Sequence, residues 1–201
     1  MINLPKSCEV NKFIPKKTFY EKVNISSSVK QDFTDKLEKI YWKYKISEDT
    51  MNITKTTDIE EIEIFELALK EKCDIKNIIN IITKKIPYII LFIIIYNDEF
   101  QYAIKFKEDI LLTDWNEEKD FNFVGINLKE VYNNIIRKFI NDKSNENIGE
   151  IIERNKQVEE LKRKISVLKN KINREVQFNR KVELNIELIN LEKELEELIN
   201  E

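Results

Sequence analysis

The sequence predicts an α+β protein in two parts, a globular domain over residues 1–143 and a helical tail over residues 148–201. The domain is expected to hold a small mixed four-stranded sheet with about three helices. The tail is expected to form an antiparallel coiled coil or a helical hairpin. Three observations lead there. Between Ile59 and Trp115, four segments alternate apolar with polar residues or run continuously apolar, as strands do. Around them, apolar residues recur at helical spacing. From Ile148 onwards the chain has no proline and one glycine, Gly149, and its apolar residues step by three and four.

Residues Met1 to Asn24 read as an extended arm. Pro5 and Pro15 oppose helix, and Lys6, Lys12, Lys16, Lys17 and Lys22 are interleaved with Val10, Phe13, Ile14, Phe19 and Tyr20. Ser26-Ser27-Ser28 supplies N-caps for a helix to about Lys45, with Val29, Phe33, Leu37, Ile40 and Tyr44 on its buried face. Trp42 lies off that stripe. A first strand runs from Ile59 to Lys70, and its two-sided apolar character suggests a central position or a bulge near Phe65.

Asp74 can cap a short helix in which Ile75, Ile78, Ile79 and Ile82 share a face. Pro87 follows, and Tyr88 to Tyr96 is the most apolar run in the chain, hence the most buried strand. Strand, helix and strand in this order make a parallel βαβ unit. Asn97-Asp98 has turn chemistry, and Phe100, Tyr102, Ile104 and Phe106 alternate in the return strand. Lys107-Glu108-Asp109 turns into a last short strand, Ile110 to Trp115. Asn127 caps a helix to about Asn141, with Leu128, Val131, Ile135 and Phe139 inward. Residues Asn141 to Asn145 link to the tail.

In the tail, Val158, Leu161, Ile165, Leu168 and Ile172 make one apolar seam, and Leu184, Leu188, Leu191, Leu195 and Leu198 make a second. Between them the phase slips over residues 175–182. A narrow stripe on a lone helix cannot bury itself, so the tail requires another helix. The first half is basic through Lys162, Arg163, Lys164, Lys169, Lys171, Arg174, Arg180 and Lys181. The second is acidic through Glu183, Glu187, Glu192, Glu194, Glu196, Glu197 and Glu201. Antiparallel pairing sets basic against acidic and seam against seam, in a hairpin or in a dimer. A hairpin needs a turn near Phe178-Asn179-Arg180, where neither glycine nor proline stands.

Composition narrows the chemistry. The chain has no histidine, which removes the commonest general base and metal ligand. Cys8 and Cys73 fit no metal or redox spacing and are expected to be reduced thiols. The two glycines, Gly125 and Gly149, stand alone, so no phosphate-binding loop can be built around them. No cofactor or metal site is expected. The run Ile86 to Tyr96 is too short to span a bilayer and Met1 to Tyr20 has no apolar signal segment, so a cytoplasmic protein without membrane contact is expected. A net charge of -3 argues against wholesale binding of nucleic acid. A local basic site remains open, formed from Lys12, Lys16 and Lys17 of the arm with Arg180 and Lys181 of the tail. A metal-dependent nuclease would need converging carboxylates and a lysine, for which Glu66, Lys70 and Asp114 are the candidates. The compact Glu-x-Lys tripeptide of restriction-type nucleases is missing from this strand, and a solvated strand face accounts for its glutamates.

Several short motifs occur in a characteristic order. They are Val10-Asn11-Lys12 with Ile14-Pro15-Lys16-Lys17, Ile40-Tyr41-Trp42-Lys43-Tyr44-Lys45, and Phe65-Glu66-Leu67 ahead of Leu69-Lys70. Ile86-Pro87-Tyr88, Thr113-Asp114-Trp115 and the tail segment Gln177 to Asn185 complete the set. With them the chain resembles, over nearly its full length, a bacterial family of uncharacterised proteins, the domain of unknown function numbered four-three-nine-one. The resemblance implies a setting beside superfamily-two helicases and adenine-specific DNA methyltransferases, in restriction-like or phage-defence loci. It brings no catalytic residues. The expected function is a non-enzymatic accessory subunit that docks a helicase or methyltransferase of its locus, or a second copy of itself, through the tail seam. Direct nucleic-acid binding and metal-dependent nuclease activity are the alternatives.

Overall fold

A computed structural model describes residues 2–21, 26–142, 144 and 146–200. Lys22 and Asn24 of the arm, Lys143 and Asn145 of the linker, and Glu201 lie outside the described residues. The chain divides into two compact units, Met1–Asp142 and Lys143–Glu201.

The first unit is built on one sheet. Its strands are β1 (Glu9–Phe13), β2 (Leu37–Ser47), β3 (Glu61–Leu69), β4 (Ile89–Tyr96), β5 (Glu99–Phe106) and β6 (Asp109–Leu112). They lie side by side in sequence order. Neighbours are antiparallel except β3 and β4, which run parallel and are joined through the helix α4 (Lys76–Lys85). The other helices of this unit are α1 (Lys17–Tyr20), α2 (Ser27–Lys36), α3 (Glu48–Met51) and α5 (Leu128–Phe139). The α+β class holds, with six strands rather than four and five α-helices rather than about three among the described residues of this unit.

Both added strands come from segments read otherwise. Part of the extended arm pairs as β1. The expected helix to Lys45 stops at Lys36, and Leu37 to Ser47 forms the long strand β2. Leu37 and Ile40 are fully buried, as a helical face would also have required. The spacing 37, 40, 44 is helical and breaks period two at its first step; a register shift between Leu37 and Lys39 lets Leu37 and Ile40 share the buried face of a strand that pairs with β3 along nine residue pairs. The irregularity expected at Phe65 sits across from it in β2, where the register shifts between Trp42 and Tyr44. Trp42 packs within the core, its ring 6.4 Å from that of Phe65.

The sheet separates two apolar layers. On one face, Phe65, Leu67, Ile90, Phe92 and Ile94 meet Phe33 of α2 and Ile78, Ile79 and Ile82 of α4. On the other, Tyr102 touches Phe121, which touches Phe139 of α5, and Phe106 stacks on Tyr132 of α5. Asn127 does cap α5, accepting a hydrogen bond from the Glu130 amide at 2.9 Å. Asp74 accepts from the Lys76 amide at the start of α4.

The second unit is a pair of helices, α6 (Ile148–Arg174) and α7 (Phe178–Asn200). No helix among the described residues is long and apolar enough to cross a membrane.

Candidate docking surface

The two tail seams close on each other within one chain. Leu168 and Ile172 of α6 pack with Leu184 of α7, and Leu188 and Leu191 cover them. Leu161 and Ile165 are buried as well, whereas Val158, Leu195 and Leu198 are half-buried. Lys169 reaches Glu192 at 2.8 Å, so basic α6 does face acidic α7. Of the two expected forms the tail takes the hairpin. Its turn falls at Glu175-Val176-Gln177, ahead of the expected Phe178-Asn179-Arg180. The Glu175 carboxylate accepts hydrogen bonds from the amides of Val176 and Gln177, both at 2.9 Å. A side-chain acceptor thus does the work left open by the missing glycine and proline.

Closing that seam leaves a second apolar stripe on α7. Phe178 is 77% exposed, Val182 43%, Ile186 57% and Ile189 63%. At 3.6 residues per turn these four lie on one face, roughly 150° round the helix from the leucine seam. The sequence carries their spacing, but the stronger leucine repeat hides it. Beside the stripe, Val176 at the turn is 97% exposed. The outer face of α6 is different in kind. There the exposed Val167 lies one helical turn from Arg163 and Lys171, with Arg174 a further turn on, and none of the three cations has an ion-pair partner among the described residues. Arg180 is tied to Glu183 at 2.7 Å, and Lys181 projects from the first turn of α7.

The arm lysines are divided. Lys12 and Lys17 are exposed, while the Lys16 ammonium donates to the Leu37 carbonyl at the end of α2. Burial, then the neighbouring Lys70, lowers the Lys16 pKa. Lys16 is therefore a structural strut between arm and helix, with little left to offer a phosphate.

The three nuclease candidates are not brought together. Glu66 lines a cavity of about 460 Å³ on the sheet face, over the cross-strand row Glu66-Ile93-Tyr102, with Lys43 at 3.8 Å. The Lys70 ammonium turns to the other side of the sheet and donates to the Thr34 carbonyl at 2.8 Å. Asp114 is exposed beyond the end of β6. Among the described residues no three acidic or cysteine side chains are placed to hold a metal ion.

One titrating cluster escaped the sequence reading. Glu63 of β3 is buried on the α4 side and its carboxyl is pushed up to about 7. Burial is the main cause, followed by the charge of Glu61 and a hydrogen bond to it, with Lys45 opposing. Lys45 in turn forms an ion pair with Glu61. Lys45 of β2 thus lies with two carboxyl groups at the start of β3, one of which, Glu63, is held well above the usual carboxylate range. The alternating glutamates looked solvated in sequence because period two assigns a face but not what covers it.

Compared with known proteins, residues 2–195 match the model of a family described as a domain of unknown function, DUF4391. No curated protein and no solved structure matches.

Proposed function

We infer that this chain, which belongs to the DUF4391 family, is a non-enzymatic assembly subunit that docks a protein through its C-terminal hairpin. The observation that carries this reading is the outer stripe of α7. Phe178, Val182, Ile186 and Ile189 stand in water on a helix whose opposite face is already satisfied. Four neighbouring large apolar side chains exposed on one face mark an interaction surface far more often than a free one. The partner that the resemblance implies is a helicase or DNA methyltransferase of a restriction-like or anti-phage defence locus.

The test is co-expression of the tagged full chain with a helicase and a DNA methyltransferase of the kind that the resemblance implies. Wild type retains one of them on the resin, and Ile186→Glu with Ile189→Glu loses it while the helical signal stays unchanged. Retention that is indifferent to the double substitution overturns the docking role of the stripe.

The outer face of α6 supports a second reading, in which Arg163, Lys171 and Arg174, without ion pairs among the described residues, bind nucleic acid. Arg163→Glu with Lys171→Glu would then weaken binding on the order of tenfold or more and flatten its salt dependence. Binding that ignores both substitutions removes this reading.

A further inference from the structure

The sheet unit holds a cavity whose chemistry is independent of the docking role of the tail. We propose that this cavity, of about 460 Å³, binds a small organic cation, an amine carried on an apolar body.

Its floor comes from β4 and β5. Ile93 pairs with Tyr102 and Ile95 with Phe100, so two isoleucines and two aromatic rings lie side by side on one face of the sheet. Ile93, Ile95 and Phe100 are half-buried, and Tyr44 of β2 adds a third ring to the lining. An apolar body can lie on such a floor, and the faces of the rings attract a cation. The volume falls within the roughly 300–1,000 Å³ that small-molecule sites occupy.

Tyr102 points to an occupant. It is 3% exposed, and its ring meets Phe121 at 4.9 Å and Phe100 at 5.4 Å. Its hydroxyl nevertheless has no hydrogen-bond partner among the described residues. That oxygen is not sealed inside protein, where it would be an unsatisfied buried group; it opens towards the cavity that the residue lines. A tyrosine buried this far ordinarily satisfies its hydroxyl. An N–H of the ligand supplies here what the chain does not.

Charge selects the sign of that ligand. Glu66, Asp98, Glu99 and Glu118 line the cavity, against Lys43 alone. Glu99 is taken up by Lys72 at 2.6 Å, and the contact of Glu66 with Lys43 is long, at 3.8 Å. Asp98 and Glu118 have no ion pair among the described residues. The charge of Glu118 is felt at the unpartnered hydroxyl: burial first, and then Glu118, raises the Tyr102 pKa. The field there is negative, which favours an ammonium and opposes an anion. A bare metal ion is a poorer fit, because no three acidic side chains among the described residues are placed to hold one.

The experiment titrates the full chain with three probes of similar shape, phenethylamine, 2-phenylethanol and phenylacetate, followed by ligand-observed NMR near neutral pH. Phenethylamine binds with a dissociation constant on the order of 0.1–1 mM, and the neutral alcohol and the anion bind about fivefold weaker or not at all. Tyr102→Phe and, separately, Asp98→Asn with Glu118→Gln each weaken phenethylamine binding by on the order of fivefold. Lys43→Gln, which frees Glu66, tightens it by about twofold. Because the fold makes no use of the Tyr102 hydroxyl, the urea midpoint of Tyr102→Phe stays at or above that of wild type. Equal binding of the three probes overturns the proposal, as does phenethylamine binding that ignores both the Tyr102 and the carboxylate substitutions. Absence of phenethylamine binding up to about 10 mM also overturns it. So does a lowered midpoint for Tyr102→Phe, which would show that the protein itself holds the hydroxyl.

Discussion

Asn11, Asn52, Asn97, Asn116 and Asn141 all take positive φ, between 48° and 62°, and Lys107 joins them at 53°. With two glycines in 201 residues, the chain makes its left-handed turns with asparagine, whose short polar side chain tolerates that region best after glycine. The asparagine content, which taken alone reads as coding bias, therefore has a structural use. A different residue-scale effect governs pH. Folded Glu63 holds its proton up to about 7, against 4.5 for the unperturbed group. Between those values the native state binds more protons than the unfolded chain, so this group's stabilisation is complete below about 4.5 and is lost as pH rises to about 7. Glu63→Gln should abolish that slope. At pH 8 it should raise stability by about 1–2 kcal/mol, after allowance for partial screening by solvent. Urea unfolding at pH 5 and pH 8 checks it; a variant with the wild-type slope would show that Glu63 is ionised throughout.

At the scale of elements, a segment's fate depends on which neighbour completes it. Residues 37–47 open on helical spacing, and the partner strand β3, paired through a register shift, selected the strand. The tail helices are similar: each carries a seam that is useless alone, and α6 and α7 complete each other. Leu184 is the most buried residue of α7, at 2% exposed. Leu184→Ala should cost the hairpin about 2–4 kcal/mol through lost contacts and the cavity left behind. Loss of far-UV helicity on heating reads this directly, and an unshifted helical transition would mean that the seam does not hold the pair together.

At the scale of the whole molecule, the two units carry their own apolar clusters. Both tryptophans, Trp42 and Trp115, belong to the first. Tryptophan fluorescence therefore reports the sheet unit alone, whereas helicity reports the two together. Leu168→Glu buries a charge in the hairpin seam, a severe change. It should cut far-UV helicity and leave the fluorescence spectrum and its urea midpoint at wild-type values. A coincident loss of both signals would show that the units unfold as one.

Much of this was legible in the chain itself. Period two from Phe100 to Phe106, the apolar run to Tyr96 and the cap at Asn127 are local signals, and local signals survive without a fold. The family and the two-part organisation follow from sequence for the same reason. Tertiary structure decided what needs a neighbour. It turned residues 37–47 into a strand, closed the leucine seams within one chain, parted Glu66 from Lys70 and Asp114, and left Phe178, Val182, Ile186 and Ile189 facing water. A sequence records how apolar each position is and at what period. Which of two competing faces is covered depends on the partner surface, and that exists only once the chain has folded.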